Sequence, residues 1–307
     1  MSFFSLIAVF LIEQLKPLHY RRVVEEPLFA WADFIQSRFD AGEYRQGLIA
    51  WCLAVVAPVV LVAVIYGFIF SLSPLLGWLF NAGVLYLTLG FRQFSHYYNE
   101  IDLALRMDDL PRARQLLGEW RGRSADGLGS QDIARLAIEN GLLAAHRHVF
   151  AIILCFVLLP GPSGAVLYRM AAVVRERWQA GISEERNDFP TFSARVFSII
   201  DWLPARATAA AFAIVGDFED ALYCWRTQAA RWPDRNSGIV LAGGAGALGV
   251  QLGLPLAEGS EVSEGVALGL GEPAGIDFLQ SAVGLVWRAT VLWMMLLLLL
   301  GLASLAG

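Results

Sequence analysis

Residues 47–91 read GLIAWCLAVVAPVVLVAVIYGFIFSLSPLLGWLFNAGVLYLTLGF, 45 positions without one Asp, Glu, Lys or Arg. About 20 apolar residues cross a bilayer as a helix, so this stretch is long enough for two. Spans are predicted over 48–70 and 74–91, joined by the short link Ser71-Leu72-Ser73. So short a link makes them an antiparallel hairpin whose outer ends lie on one side.

Working outward, the flank before the hairpin carries Lys16, Arg21, Arg22, Arg38 and Arg45. The flank after it, 92–147, carries eight arginines. Basic flanks stay in the cytoplasm, which orients the hairpin with both outer ends on that side. Residues 289–307 are again uncharged and form a third span, anchored by Trp287 and Arg288. Residues 149–168 are uncharged but interrupted by Pro160-Gly161-Pro162, and six arginines follow over 169–206. A re-entrant hairpin turning at Pro160 to Ser163 keeps both basic flanks inside; a single kinked crossing is the alternative. Residues 1–12 are apolar but too few to span, and no cleavage site follows, so an interfacial or half-buried helix is expected. In the helix expected over 27–39, Leu28, Trp31, Ala32 and Ile35 fall at helical spacing. Trp31 and Phe34 beside Arg38 suit a headgroup-level helix or a packed cytosolic one equally. The fold class that follows is all-α: a polytopic membrane helix bundle with a re-entrant helical hairpin and cytoplasmic helical segments, one embedded domain over 1–307.

Composition narrows the chemistry. A net charge of −5 gives no reason to expect a nucleic-acid partner. The 23 basic residues are Lys16 and 22 arginines, so any lysine-dependent mechanism must use Lys16. Three scattered cysteines (Cys52, Cys155, Cys224) make neither a disulfide framework nor a metal cluster. There is no GxxxxGK[ST] phosphate loop and no HExxH, so no metal site and no bound cofactor are expected. The glycine-rich run GIVLAGGAGALGVQLGLPLA, 238–257, follows no strand and reads as helix packing rather than a phosphate cradle. Residues 258–277 read as an acidic, glycine-rich loop.

Candidate site residues fall in three places. In VFSIIDWLPARATAAAFAIVGDFEDALYCW, 196–225, Asp201 and Arg206 edge an apolar run. Charges there are costly unless paired or facing a polar cavity, so they mark either a site or the membrane surface, with the amphipathic Trp202 and the helix-restarting Pro204 between them. The run ATAAAFA lets another helix approach closely, and a buried segment is expected over 204–216. Arg92 and His96 share a helical face and form an anion pocket or reach toward headgroups. Within 92–148, two helices are expected around a glycine-rich turn, with Pro111 in the first turn of one and Ser130 capping the other. On the second, Arg135 and Glu139 are four apart and read as an ion pair, with Asn140 beside them. His146 and His148 read as interfacial anchors.

The pieces DDLPRARQLL, IARLAIEN, GPSGAVLYR, DWLPARATAAAFAIVGDFEDAL and NSGIVLAGGAGALGV, in this order over roughly 91–255, resemble the cobinamide-phosphate synthase (CobD/CbiB) family and its AmpE-like branch. The synthases join cobyric acid through an amide bond to aminopropanol phosphate, consuming nucleotide. The resemblance to them implies phosphate-binding roles for Arg92, Arg135 and Arg206 and acid/base or Mg²⁺ roles for Glu139 and Asp201. It implies a loop position for Asn236 and Gly238, with nucleotide and Mg²⁺ as cofactors. This chain departs from the synthases in three places. LIEQLKPLHYRR replaces a leucine-glycine-aspartate-proline signature, GLLAAHRHVF replaces a serine-aspartate-glycine turn, and MAAVVRERW replaces an Asn-Thr-Leu-Asp-Ser-Met run. Those departures resemble the AmpE side. They make an AmpE-like regulator tied to β-lactamase induction the expected function, binding a phosphorylated small molecule, a corrinoid or a regulatory protein, with the synthase as the alternative.

Overall fold

The computed structural model describes residues 5–9, 12, 24–40, 43–180, 188–258, 261–263 and 265–306. Side chains within 91–94, 256–258, 261–263 and 304–306, and that of residue 180, lie outside the description. The chain forms two compact units, one of residues 1–90 and 151–204, the other of residues 91–150 and 205–307.

The first unit holds α1 (Glu26–Phe39), α2 (Tyr44–Leu72), α3 (Pro74–Thr88), α7 (Ser163–Ala180) and α8 (Phe189–Ile200), with the last turns of α6 (Ser130–Leu158). Helix α1 starts with Pro27 and Glu26 in its first turn and ends with Arg38 in its last, the polarity that favours those residues at helix termini. Helix α2 contains a π turn at Cys52–Val56, and its last stretch, Ala57–Leu72, has no buried residue. At Ser73 the backbone is extended and Pro74 opens α3, so the expected hairpin is present with a one-residue link. Residues 151–158 and α7 form a second helical hairpin, turning where the sequence places Pro160 to Ser163. Gly164 lies so close to the Cys155 carbonyl that any Cβ there would collide with it. The interior is aromatic: Trp178, Tyr168 and Phe189 are fully buried, and the Trp178 indole donates to Ala32 O at 3.1 Å. Arg169 pairs with Glu25 at 3.0 Å, and Arg177 grips Asp33 with two nitrogens.

The second unit holds α4 (Phe91–Arg106), α5 (Leu110–Arg121), α6 through Phe150, α9 (Trp202–Val215) from Ala205, α10 (Phe218–Gln228), α11 (Arg235–Leu248) and α12 (Phe278–Ala306). Asp109 caps α5 by accepting from the Arg112 N–H at 3.1 Å, with Pro111 in the first turn. Gly129, not Ser130, is the N-cap residue of α6, and it lacks a side-chain cap bond. Helix α11 is the centre of this unit: every residue from Asn236 to Ala247 is buried. Its glycines make that possible. A Cβ on Gly244 would lie 2.8 Å from Leu142 of α6, and one on Gly246 would lie 2.5 Å from Asp220 O of α10. Over 238–248 the glycine-rich run is thus a helix-packing surface, as its sequence predicts, whereas its end is not helix but contributes two short strands.

The acidic loop expected over 258–277 contains regular structure. Five short strands are present among the described residues. Val250–Leu252 pairs antiparallel with Leu268–Gly269 and parallel with Glu272–Pro273, and Leu256–Glu258 pairs with Glu261–Ser263. The uncharged stretch from 149 is the end of a 29-residue helix that runs unbroken from Ser130. Helix α12 likewise starts at Phe278, ahead of the uncharged tail.

Among the described residues, three helices are long and apolar enough to cross a membrane: Tyr44–Leu72, Ser130–Leu158 and Phe278–Ala303. Their apolar windows are 22%, 61% and 33% buried, so α2 and α12 leave most of their hydrocarbon surface bare. Large exposed apolar surface on such helices is what a lipid-facing element shows and a water-soluble one avoids. The chain is an α-helical protein with the features of a membrane protein.

Candidate functional site

In the second unit, α6 carries a buried charged cluster. Arg135 and Glu139 are 5% and 9% exposed, one turn apart on one face. Arg135 Nη2 donates to Asp132 Oδ1 at 2.9 Å, and its Nε lies 4.0 Å from Glu139 Oε1. The Glu139 oxygen is held elsewhere: Oε1 accepts from the Gly253 N–H at 2.7 Å. Gly253 follows the first strand with φ of +69°, and a Cβ there would run into Val266 O and the Trp232 ring. A side chain is therefore excluded where the backbone must turn its N–H to the carboxylate. Burying a charge is costly unless it is paired and hydrogen-bonded, and this cluster meets both conditions for Glu139. Among the described residues, Arg135 Nε and Asn140 Nδ2 are buried without a hydrogen-bond partner. The cluster therefore keeps donor capacity that the protein does not consume.

Further along α6 a second polar group forms. Arg147 Nη2 donates to Ser237 Oγ at 3.1 Å, and Ser237 donates to Asp234 Oδ2 at 2.6 Å, at the start of α11. Asn236 and Gly238 flank Ser237. Asn236 is buried, and Gly238 presses against the Ala229 carbonyl. His146, expected as an interfacial anchor, is buried and bonded through Nδ1 to Thr208 Oγ1 at 2.9 Å. A π turn at His146–Phe150 lets the helix carry the histidine pair without breaking.

The remaining candidates are spread. His96 is exposed and lies 3.4 Å from Glu100 on its own helix. The side chain of Arg92 lies outside the described residues. Arg206 is half-buried in the second unit. Asp201 is buried in the first unit, where α8 ends, and accepts from the Tyr168 hydroxyl at 2.8 Å. Trp202 beside it is exposed. Burial pushes the Cys224 thiol up to about 11, which keeps it protonated and unreactive near neutrality.

The sequence candidates Arg135, Glu139 and Asn140 lie together on α6. Asp132 was legible at i,i+3 spacing. Gly253, Tyr168, Thr208 and Ser237 are tertiary partners that no local pattern announces.

The family described as CobD/Cbib protein matches residues 10–286. A "Cobalamin biosynthesis protein CobD" of Stutzerimonas stutzeri (strain A1501) is 35% identical over 89% of this chain and 90% of its own. One of Chromobacterium violaceum is 36% identical over 72% of this chain and 70% of its own. One of Leptospira interrogans is 27% identical over 76% and 75%. No solved structure matches the chain. These relatives overturn the expectation of an AmpE-like regulator tied to β-lactamase induction, because their names point to the cobalamin pathway. That expectation weighed the altered GLLAAHRHVF and MAAVVRERW segments as lost chemistry. In the structure both segments carry buried or half-buried arginines with partners, Arg147 on Ser237 and Arg177 on Asp33. With the match running over nearly its whole length, the chain belongs to the CobD/CbiB family.

Proposed function

We propose that this protein is an adenosylcobinamide-phosphate synthase of cobalamin biosynthesis, joining cobyric acid to aminopropanol phosphate through an amide bond. The observation that carries the proposal is similarity to proteins named for that pathway over 89% of the chain. Amide formation requires an amine that has shed its proton and a phosphate held by cations. Glu139 is the carboxylate to receive that proton, held in orientation by the Gly253 N–H. Arg135, with its unpartnered Nε, is the guanidinium we assign to a substrate phosphate. Arg92, His96, Asn140, Trp202, Arg206, Asn236 and Gly238 are proposed as further binding residues, and Asp201 as a second acid/base candidate.

Phosphoryl transfer from the nucleotide to the carboxylate would make its oxygen a leaving group, which departs on that phosphate as the amine nitrogen bonds the carbonyl carbon. Among the described residues, no group of three or more His, Cys, Asp or Glu is placed to hold a metal ion. Mg²⁺ would then come on the nucleotide phosphates, as it usually does.

The same reading places the protein as a multi-pass inner-membrane enzyme. The α2–α3 hairpin crosses with both basic flanks in the cytoplasm, and the 151–180 hairpin re-enters from that side. A growth test addresses the function. A strain lacking the synthase, supplied with cobyric acid, grows on the wild-type chain but not on Glu139→Ala or Arg135→Ala present in the membrane at equal amount. Failure of the wild-type chain to restore growth overturns the proposal.

A further inference from the structure

Helix α1 carries apolar residues on its bare face as well as on its packed one. Its packed face carries Ala32 and Ile35, with the Trp178 indole bonded to Ala32 O and Arg177 clamped on Asp33. Its bare face carries Pro27, Ala30, Trp31, Phe34 and Arg38. Trp31 is 37% and Phe34 52% exposed, their rings stacked 6.2 Å apart, with the Arg38 guanidinium 5.7 Å from the Phe34 ring.

What covers this face is fixed by where α1 is tied. The Trp31 indole donates to Ala54 O at 3.2 Å, inside the π turn of α2. Ala54 is the eighth residue of the charge-free stretch starting at Gly47, so it lies about 10 Å along the helix from the last possible charged flank. The neighbouring α2 surface, Leu48, Ile49, Leu53 and Val56, is also exposed and apolar. The α-helical donor to the Ala54 carbonyl would be residue 58, but Pro58 has no N–H, and lipid supplies no donor in its place. Trp31 supplies it.

We infer that α1 is an interfacial helix, lying along the cytoplasmic surface of the bilayer with Trp31 and Phe34 among the upper acyl chains and Arg38 at the lipid phosphates. This rests on the reading of α2 as a membrane span. An interfacial helix sits about 5–10 Å into the headgroup boundary, the level at which the Trp31–Ala54 bond holds this one. Its other face holds Arg177 and Trp178, so the bilayer surface and the first unit's interior are joined through a single helix.

Spin labels on Phe34→Cys and on Val64→Cys test this, each in the full chain carrying Cys52→Ser and reconstituted in vesicles containing phosphatidylglycerol. Asp126→Cys serves as a label in a solvent-exposed loop. The proposal expects oxygen to relax the labels at 34 and 64 several-fold more, relative to a water-soluble nickel complex, than the label at 126, with 34 shallower than 64. A label at 34 that behaves like 126 while 64 is in lipid overturns the interfacial helix and leaves the span. Labels at both 34 and 64 behaving like 126 overturn the membrane reading itself. A label at 34 shielded from both reagents means that protein covers the face, and also overturns the proposal.

Discussion

Glu139 and Gly253, 114 residues apart, are joined by a 2.7 Å hydrogen bond from a backbone N–H to a buried carboxylate. It fastens the start of the short-stranded segment to helix α6 at the one place where that helix buries an acid beside an arginine.

Glu139→Ala removes the acceptor and leaves both the Gly253 N–H and Arg135 underpaired. An unsatisfied buried polar group costs about 1–3 kcal/mol, so thermal unfolding of the detergent-purified variant is expected at lower temperature. Glu139→Gln retains an acceptor and loses the base. It is expected to unfold near the wild type while amide formation falls.

Gly253→Ala places a methyl against Val266 O and Trp232 at a positive φ. Strain of that kind costs about 1–3 kcal/mol. The same unfolding measurement, with activity falling alongside stability, is the expected outcome. An unchanged midpoint would contradict the described turn.

Gly246→Leu tests helix packing in the glycine-rich run. The side chain would meet Asp220 O and the Ala221 backbone, and overpacking of this sort costs about 1–3 kcal/mol or more. Gly249→Ala, at a helix end with nothing within 4 Å of its Cβ position, meets only the strain of its positive φ. It is expected to be the milder of the two in unfolding temperature.

Tyr168→Phe deletes the hydroxyl that donates to Asp201 at 2.8 Å. A side-chain hydrogen bond contributes about 0.5–1.5 kcal/mol net. If Asp201 takes part in the reaction, the variant changes the pH profile of product formation. If the bond is structural only, stability falls and the profile keeps its shape.

Tyr98 gives a pH dependence. Burial first, and the Asp102 charge second, raise its hydroxyl above the ordinary value of 10.0, and the group donates to Leu279 O at 2.8 Å. In the unfolded chain it ionises near its ordinary value while the folded chain holds it neutral. The stabilisation is therefore complete below pH 10 and is lost as the pH rises beyond it, by up to about 1.4 kcal/mol per pH unit. Chemical denaturation from pH 9 to 11 is expected to show a steeper alkaline loss for the wild type than for Tyr98→Phe.

Much of the helical frame was legible because it rests on local chemistry. Absence of charge over 47–91 gave the α2–α3 hairpin, Pro160-Gly161-Pro162 gave the second hairpin, and Asp109 with Pro111 gave the start of α5. The run of α6 through His146-Arg147-His148 was not legible. Three polar side chains before an apolar stretch look like a boundary, and their partners Thr208 and Ser237 lie on other helices. Strands of two or three residues carry no period, so 250–257 read as the end of the glycine-rich packing segment and 258–273 as a loop. At the site, Arg135–Glu139 follows from i,i+4 spacing, but the Gly253 N–H requires the fold. The functional expectation erred by weighing missing polar motifs above a match that spans the chain.

The most direct test is to incubate the detergent-purified protein with cobyric acid, aminopropanol phosphate and Mg²⁺-nucleotide and to follow the corrinoid by mass spectrometry. The account predicts a product heavier by aminopropanol phosphate less one water, abolished in Glu139→Gln. Unchanged cobyric acid in the presence of folded, membrane-competent protein would contradict it.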